Sequence, residues 1–313
     1  MEKYTVFLGD VALDEYYRTD QWPGAGGKAF ADQLEARHGG MIANAACVYA
    51  ALGGTARFMT PLNRGKVSEI LVEGLCDSGV SPDYVIWDDR LADSKCIIFL
   101  TGEDNTVMIV NTGLQEIDLC EAHVEALKGA EYIYSTLSDL LRLRCGNKKG
   151  LEVVSAIRRA GTRILCDLDT GYVDEDCDDH YKEMDIAIFN HIGFDRFRKD
   201  RSEDQAAADL LSLGVSLIAV TAGSRGCRIY TTQSSFSVPA FPVDAVDVTG
   251  AGDTFSAALL YGLQHMEPRQ AARFASAAAA ICVQGIGART GAVSVEKVLA
   301  FMECSPLNSL ELD

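Results

Sequence analysis

Short apolar runs that end in Gly, Asp or Asn alternate with stretches of helical periodicity along most of this chain, and that rhythm restricts the folds open to it. Val6–Leu8, Arg57–Met59, Tyr132–Tyr134, Arg163–Cys166, Ile186–Phe189 and Ser216–Val220 read as strands, and Asn44–Leu52, Ser68–Asp77, Gly150–Ala160 and Gln205–Leu213 as helices. Unbroken apolar strands are covered on both faces, so an α/β fold is expected, with a central, mostly parallel sheet flanked by helices. Ligands of such sheets bind beyond the carboxyl ends of the strands. Polar residues stand at several of those ends: Asp10, Asp167, Asp169, Asn190 and Thr221.

Two regions break the rhythm, at about 13–36 and 84–110. In the second, Lys95–Leu100 and Thr106–Val110 read as a hairpin around Gly102-Glu103-Asp104-Asn105. Together the two regions are expected to form a small β-sheet lid inserted in a single domain of residues 1–313. Such a lid would cover a ligand, or hide its edges against the same sheet of a second copy, which makes a homodimer the expected assembly. Of the 313 residues 48% are hydrophobic and only 7 are Pro, so a sizeable core is expected, without disordered tracts. The formal charge of −17 repels nucleic acid and anionic membrane surfaces, and neither is expected as a partner. Ten cysteines occur without a C-x-x-C pair, which leaves no zinc spacing and no disulfide framework. Met1-Glu2-Lys3-Tyr4 leads straight into a strand and lacks the features of a signal peptide, so the cytoplasm is the expected location.

From Asp244 to Leu263 a polar, glycine-rich turn feeds a helix. Glycines at 250 and 252 let backbone N–H groups approach a phosphate, and a helix starting there turns its positive dipole end toward the same anion. Asp253, in the first turn, lies where a carboxylate can accept the proton of an attacking hydroxyl. Taken alone, an Asp at this place is as well explained as a helix cap. Upstream, Leu217–Val220 runs into Thr221-Ala222-Gly223-Ser224-Arg225-Gly226, either a second phosphate-facing turn or a plain hairpin. Near the amino end, Gly9–Asp14 places two carboxylates past the first strand, as acceptors for hydroxyls or as turn residues. His38-Gly39-Gly40-Met41-Ile42-Ala43-Asn44 leads a glycine pair into a helix, suited to a ligand that touches backbone and the Asn44 amide together.

Asp247-Val248-Thr249-Gly250-Ala251-Gly252-Asp253 resembles the D-T-T-G-A-G-D signature of the ribokinase-like, phosphofructokinase-B type carbohydrate kinases, with Val248 as its one departure. Gly39-Gly40-Met41-Ile42-Ala43-Asn44-Ala45-Ala46 resembles the same family's G-G-x-x-A-N-x-A segment. The resemblance spans residues 5 to about 290 and implies an ATP-dependent kinase acting on a sugar or sugar derivative, with Mg²⁺ and K⁺. It implies Asp253 as catalytic base and Gly250, Ala251 and Gly252 as the anion hole. It further implies Asp247 and Thr249 as cation ligands and Asp14, Gly39, Gly40 and Asn44 as substrate contacts. Asn190, Thr221, Gly223 and Gly226 become nucleotide contacts, and the helix Ala271–Val283 a wall of the adenine pocket.

The chain departs from the family where N-x-x-E is expected: Asn190-His191-Ile192-Gly193 lacks the magnesium-linked Glu, with Asp195 as a substitute to consider. Lys28 and Arg289 are cations suited to an anionic acceptor, and Arg289 also falls in the family's glycine loop beside the nucleotide. Two rival readings stay open. A nucleoside kinase would need a more aromatic lid, from Tyr16, Tyr17, Trp22 and Phe30. A sugar-binding regulatory protein would have lost the metal chemistry.

Overall fold

The computed structural model describes residues 3–102, 104–168 and 178–304, so Asp169 and Glu103 lie outside the described residues. Eight strands form the main sheet, in the order Ser235–Val238, Cys227–Thr231, Leu217–Thr221, Ile186–Asn190, Arg163–Asp167, Tyr132–Thr136, Thr5–Leu8, Ala56–Met59. Neighbours from Leu217–Thr221 to Ala56–Met59 pair in parallel. At the other edge Cys227–Thr231 and Ser235–Val238 are antiparallel additions. This edge hairpin is absent from the sequence-based pattern, because its strands alternate polar and apolar residues.

Alternation along each strand builds one core on each face. Phe7, Phe58, Tyr134, Leu165 and Ile188 pack with helices Met41–Ala51, Ala251–Leu263 and Pro268–Cys282. Val6, Leu8, Ile133, Ile164 and Phe189 pack on the other face with Leu151–Arg158 and Glu203–Ser212. The alanine-rich helix Pro268–Cys282 lies so close to Ala251–Leu263 that a Cβ on Gly262 would stand 2.9 Å from the Ala271 Cα. Small residues therefore set the spacing of the two helices and, with it, the position of the Gly250 turn. All nine described cysteines are free.

A second sheet contains Asp32–Gln33, Ala12–Arg18, Lys95–Thr101 and Asp104–Ile109, and Arg37–Gly39 pairs with the start of Ala12–Arg18. Its second segment starts at Lys95. Ile86–Trp87 instead pairs with Pro61–Leu62, beside the main sheet. Register Thr101↔Asp104 and Leu100↔Asn105 puts Asp104 and Asn105 in the strand, so the link between strands is shorter than the sequence suggests and starts at Gly102, whose φ is 63. No helix among the described residues is long and apolar enough to cross a membrane.

Candidate active site

A cavity of about 1010 Å³ lies between the carboxyl end of the main sheet and the second sheet, lined by Asp10, Asp14, Tyr16, Asp139, Asp247 and Thr249 among others. Asp10 lies two residues past the end of the first strand, Thr5–Leu8. Its two carboxylate oxygens accept from the Met41 and Ile42 amides at 3.0 and 3.1 Å, tying the strand to the helix Met41–Ala51, whose own N-cap is the side-chain-free Gly40. Gly40 has φ 93, and a Cβ there would stand 2.6 Å from the Val11 Cα. Gly39 is buried behind the acceptor wall: a Cβ would meet the Asp14 carboxylate at 2.2 Å, so this glycine makes room for Asp14 instead of facing the cavity.

Desolvation pushes the Asp14 carboxyl up; a hydrogen bond from Cys96 opposes it, Asp10 adds to it, and Arg289 opposes it. Burial and the nearby Asp14 push the Cys96 thiol up to about 12, so it stays protonated and serves as donor to Asp14. Sequence reasoning missed Asp139, which shares the cavity. It accepts from the Thr136 hydroxyl at 2.8 Å, and Arg142 approaches at 3.4 Å. Thr136-Leu137-Ser138-Asp139 at a strand exit was the available signal, a T-x-x-D helix start. Desolvation is the main cause that raises its carboxyl to about 6, and the charge of Asp10 adds to it.

The charged form of Asp139 is thus disfavoured in the fold. Its cost is absent below the ordinary carboxyl range near pH 4, grows as pH rises, and is complete above pH 6. Asp139→Asn is therefore expected to raise stability by about 1–3 kcal/mol at pH 8, with the gain vanishing below about pH 4. Urea denaturation of both proteins across this range checks it, and a pH-independent difference would count against the assignment.

Across the cavity, Gly250 begins the helix Ala251–Leu263 in the left-handed region, φ 77, and a Cβ there would stand 2.1 Å from the Ala288 carbonyl oxygen. The Ala251 amide donates to the Val248 carbonyl at 3.2 Å. Asp253 lies in the first turn, and Asn44 donates its amide to the Asp253 carboxylate at 2.9 Å. Asn44 is therefore directed at Asp253 and is 5% exposed. Beneath lies Asp167, which accepts from Tyr134 at 3.0 Å and from Ser256 at 3.3 Å.

Asp247 clamps two loops, its oxygens accepting from the Thr249 and Gly287 amides at 2.9 and 2.8 Å. Partial burial raises its carboxyl, but the Thr249 hydroxyl and these amides prevail and hold it below the ordinary range.

Thr221 stands beside Asn190 in register, at the ends of adjacent parallel strands. Asn190 caps the helix His191–Arg198 by accepting from the Gly193 amide at 2.8 Å, the position where the family Glu is expected. Asp195 pairs with Arg198 at 2.6 Å on the surface. Gly223–Arg225 is a tight turn joining the antiparallel strands Leu217–Thr221 and Cys227–Thr231. Gly226 is forced there, since a Cβ would stand 2.1 Å from the Val238 carbonyl oxygen. Lys28 is exposed and is not among the residues that line the cavity. Of the four aromatic candidates only Tyr16 lines it; Tyr17 and Trp22 pack on Phe99, and Phe30 is exposed.

Residues 2–294 match the pfkB family of carbohydrate kinases. Maize fructokinase-2 is 28% identical over 273 residues, 80% of each chain. Ribokinase of Arabidopsis thaliana is 28% identical over 322 residues, covering 96% of this chain and 81% of its own. The structure of Arabidopsis thaliana ribokinase complexed with ribose and ATP superposes with a TM-score of 0.84 at 25% identity, covering 97% of this chain and 99% of that one. The turn at Gly250–Asp253, the glycine pair before Met41 and the parallel sheet between them thus belong to one known architecture, and the chain is a member of the pfkB family of carbohydrate kinases.

Proposed function

We propose that Asp253 is the base of an ATP-dependent sugar kinase whose acceptor is an unphosphorylated sugar held in the cavity above Asp14. The observation that carries this reading is the Asn44–Asp253 hydrogen bond, which joins the glycine-pair segment to the anion-binding turn across 209 residues. Asp10, Asp14 and Asp139 offer carboxylate oxygens to sugar hydroxyls. Lys95 and Arg142, which border the same cavity, are engaged with Glu15 and Asp139. Arg18 and Arg37 are exposed at its rim. The acceptor hydroxyl would lose its proton to Asp253 while backbone amides at the start of Ala251–Leu263 stabilise charge on the phosphoryl group.

The nucleotide would lie along Asn190, Thr221, Gly223 and Gly226. Magnesium would arrive with ATP and neutralise phosphate charge, held by phosphate oxygens and water, since Gly193 offers it no side chain. Among the described residues no group of three or more His, Cys, Asp or Glu is placed for a metal. Asp247 fits a monovalent cation better: its depressed carboxyl keeps a full charge between the two loops it clamps, and Thr249 stands beside it. The second sheet would act as the lid, and its edge strand Asp104–Ile109, with Val107, Met108 and Ile109 exposed, would pair with a second copy in a homodimer.

ATP consumption measured with pentoses, hexoses, sugar phosphates, polyols and nucleosides, in K⁺ or Na⁺ buffers, tests the whole reading. Turnover is expected on a free sugar, at least about tenfold faster in K⁺, with the K⁺ advantage lost in Asp247→Ala. Sugar binding without turnover on any acceptor would favour a regulatory protein, and preference for a phosphorylated sugar or a nucleoside would overturn the acceptor assignment.

A further inference from the structure

We infer that Arg289 is a positioning residue for the base, acting through Asn44. Its Nε–H donates to the Asn44 side-chain oxygen at 3.2 Å, and the Asn44 amide nitrogen donates to Asp253 at 2.9 Å. This inference rests on Asp253 being the base.

An asparagine side chain has nearly the same shape in both amide orientations, and only its neighbours decide which end faces which group. Asn44 lies on the apolar helix Met41–Ala51, between the fully buried Ala43 and Ala45, and is itself only 5% exposed, so few other partners can replace a lost one. The Arg289 donor accepts only one arrangement, with the carbonyl toward the guanidinium and the NH₂ toward Asp253. The reverse would set a carbonyl against a carboxylate and an NH₂ against a cation. Arg289 thus converts a two-way choice into one, and holds the Asp253 oxygen where the acceptor hydroxyl must meet it.

The placement of Arg289 is itself built. Asp247 takes the Gly287 amide two residues earlier, and the Gly250 turn presses against the Ala288 carbonyl, so the loop carrying Arg289 is held from both sides. The Arg289 Nη2 is buried without a hydrogen-bond partner, an unmade bond that calls for an explanation other than stability.

Steady-state kinetics of Arg289→Gln, Arg289→Lys, Asn44→Leu and the double variant Asn44→Leu/Arg289→Gln test the inference on the full chain. Arg289→Gln is expected to lower kcat about 10- to 100-fold with the KM for ATP unchanged within about twofold. It is also expected to move the acid limb of the kcat profile to higher pH, because a cation near the base is lost. Asp14 and Cys47 face Arg289 and feel the loss of its charge as well, whereas Tyr134 and Cys282, which lie near Asp253, keep their own contacts, so Asp14→Asn serves as the control for the limb. Arg289→Lys keeps the charge and should recover part of the rate with the acid limb in place. In the Asn44→Leu background, Arg289→Gln should cost less than about a further twofold.

A rise in the KM for ATP at constant kcat would overturn the inference, as would full multiplicativity of the two substitutions. If Arg289→Gln does not fold, Arg289→Lys decides, since undiminished kcat there would overturn it and a reduced kcat with an unmoved acid limb would support it. Full turnover in Asp253→Asn would instead remove the base assignment itself, whatever the Arg289 variants do.

Discussion

Asp253→Asn is expected to lower kcat by about 10²–10⁴-fold while sugar and ATP still bind with near-unchanged affinity. The asparagine has the size of the aspartate, and its carbonyl can still accept the Asn44 amide, so the contact that joins the two helices is kept. What it cannot do is take the proton of an attacking hydroxyl. The stability effect should be small, about 0.3–1 kcal/mol for a carboxylate lost from a first helical turn, so a rate loss of this size is not explained by unfolding. Calorimetric titration with the sugar and with a non-hydrolysable ATP analogue, alongside single-turnover kinetics, separates binding from chemistry. A kcat within tenfold of the parent would remove Asp253 from the role of base.

Much of this arrangement was legible because it is local. Apolar runs such as Ile186–Phe189 and Ser216–Val220 declare strands buried on both faces, and a Gly-Ala-Gly stretch declares a tight turn into a helix, whose first amides are open to an anion. What the sequence did not disclose depends on contacts across long separations. Asn44 reads as a ligand contact from its glycine-rich neighbourhood, and only the packing of Met41–Ala51 against Ala251–Leu263 turns it toward Asp253. Gly39 reads as a ligand contact for the same reason, whereas the fold uses it to admit the Asp14 side chain.

Lys28 marks a different limit. Its segment carries few apolar residues to pack, and chain order alone does not say which side of a strand pair such a loop will take. Asp139 was within reach, because a T-x-x-D helix start at the end of a central strand is a recognisable polar strand exit. Arg289 was visible as a cation in a glycine loop, but its partner is 245 residues away.

The second large effect is expected at Gly250, where Gly250→Ala should cut kcat by about 10²-fold or more and lower the stability as well. Two independent constraints act at this residue. Its φ of 77 costs an alanine about 1–2 kcal/mol, and the added Cβ would fall 2.1 Å from the Ala288 carbonyl oxygen, which must move. That carbonyl precedes Arg289, so the displacement passes to the Arg289–Asn44–Asp253 contacts as well as to the amides of the turn.

Gly252 provides the control, because it sits in the helix without a positive φ, and no atom lies within 4 Å of the place a Cβ would take. Gly252→Ala should stabilise the protein by up to about 1 kcal/mol, since alanine is the better helix former. It should nonetheless slow phosphoryl transfer if phosphate packs against that backbone, because the methyl would occupy the approach. Thermal melting and kcat measured on both variants distinguish the two. Loss of both quantities at 250, with a stability gain and a rate loss at 252, is the signature of a phosphate-binding turn. A Gly252→Ala protein that is more stable and fully active would mean that the phosphoryl group does not approach this turn at Gly252.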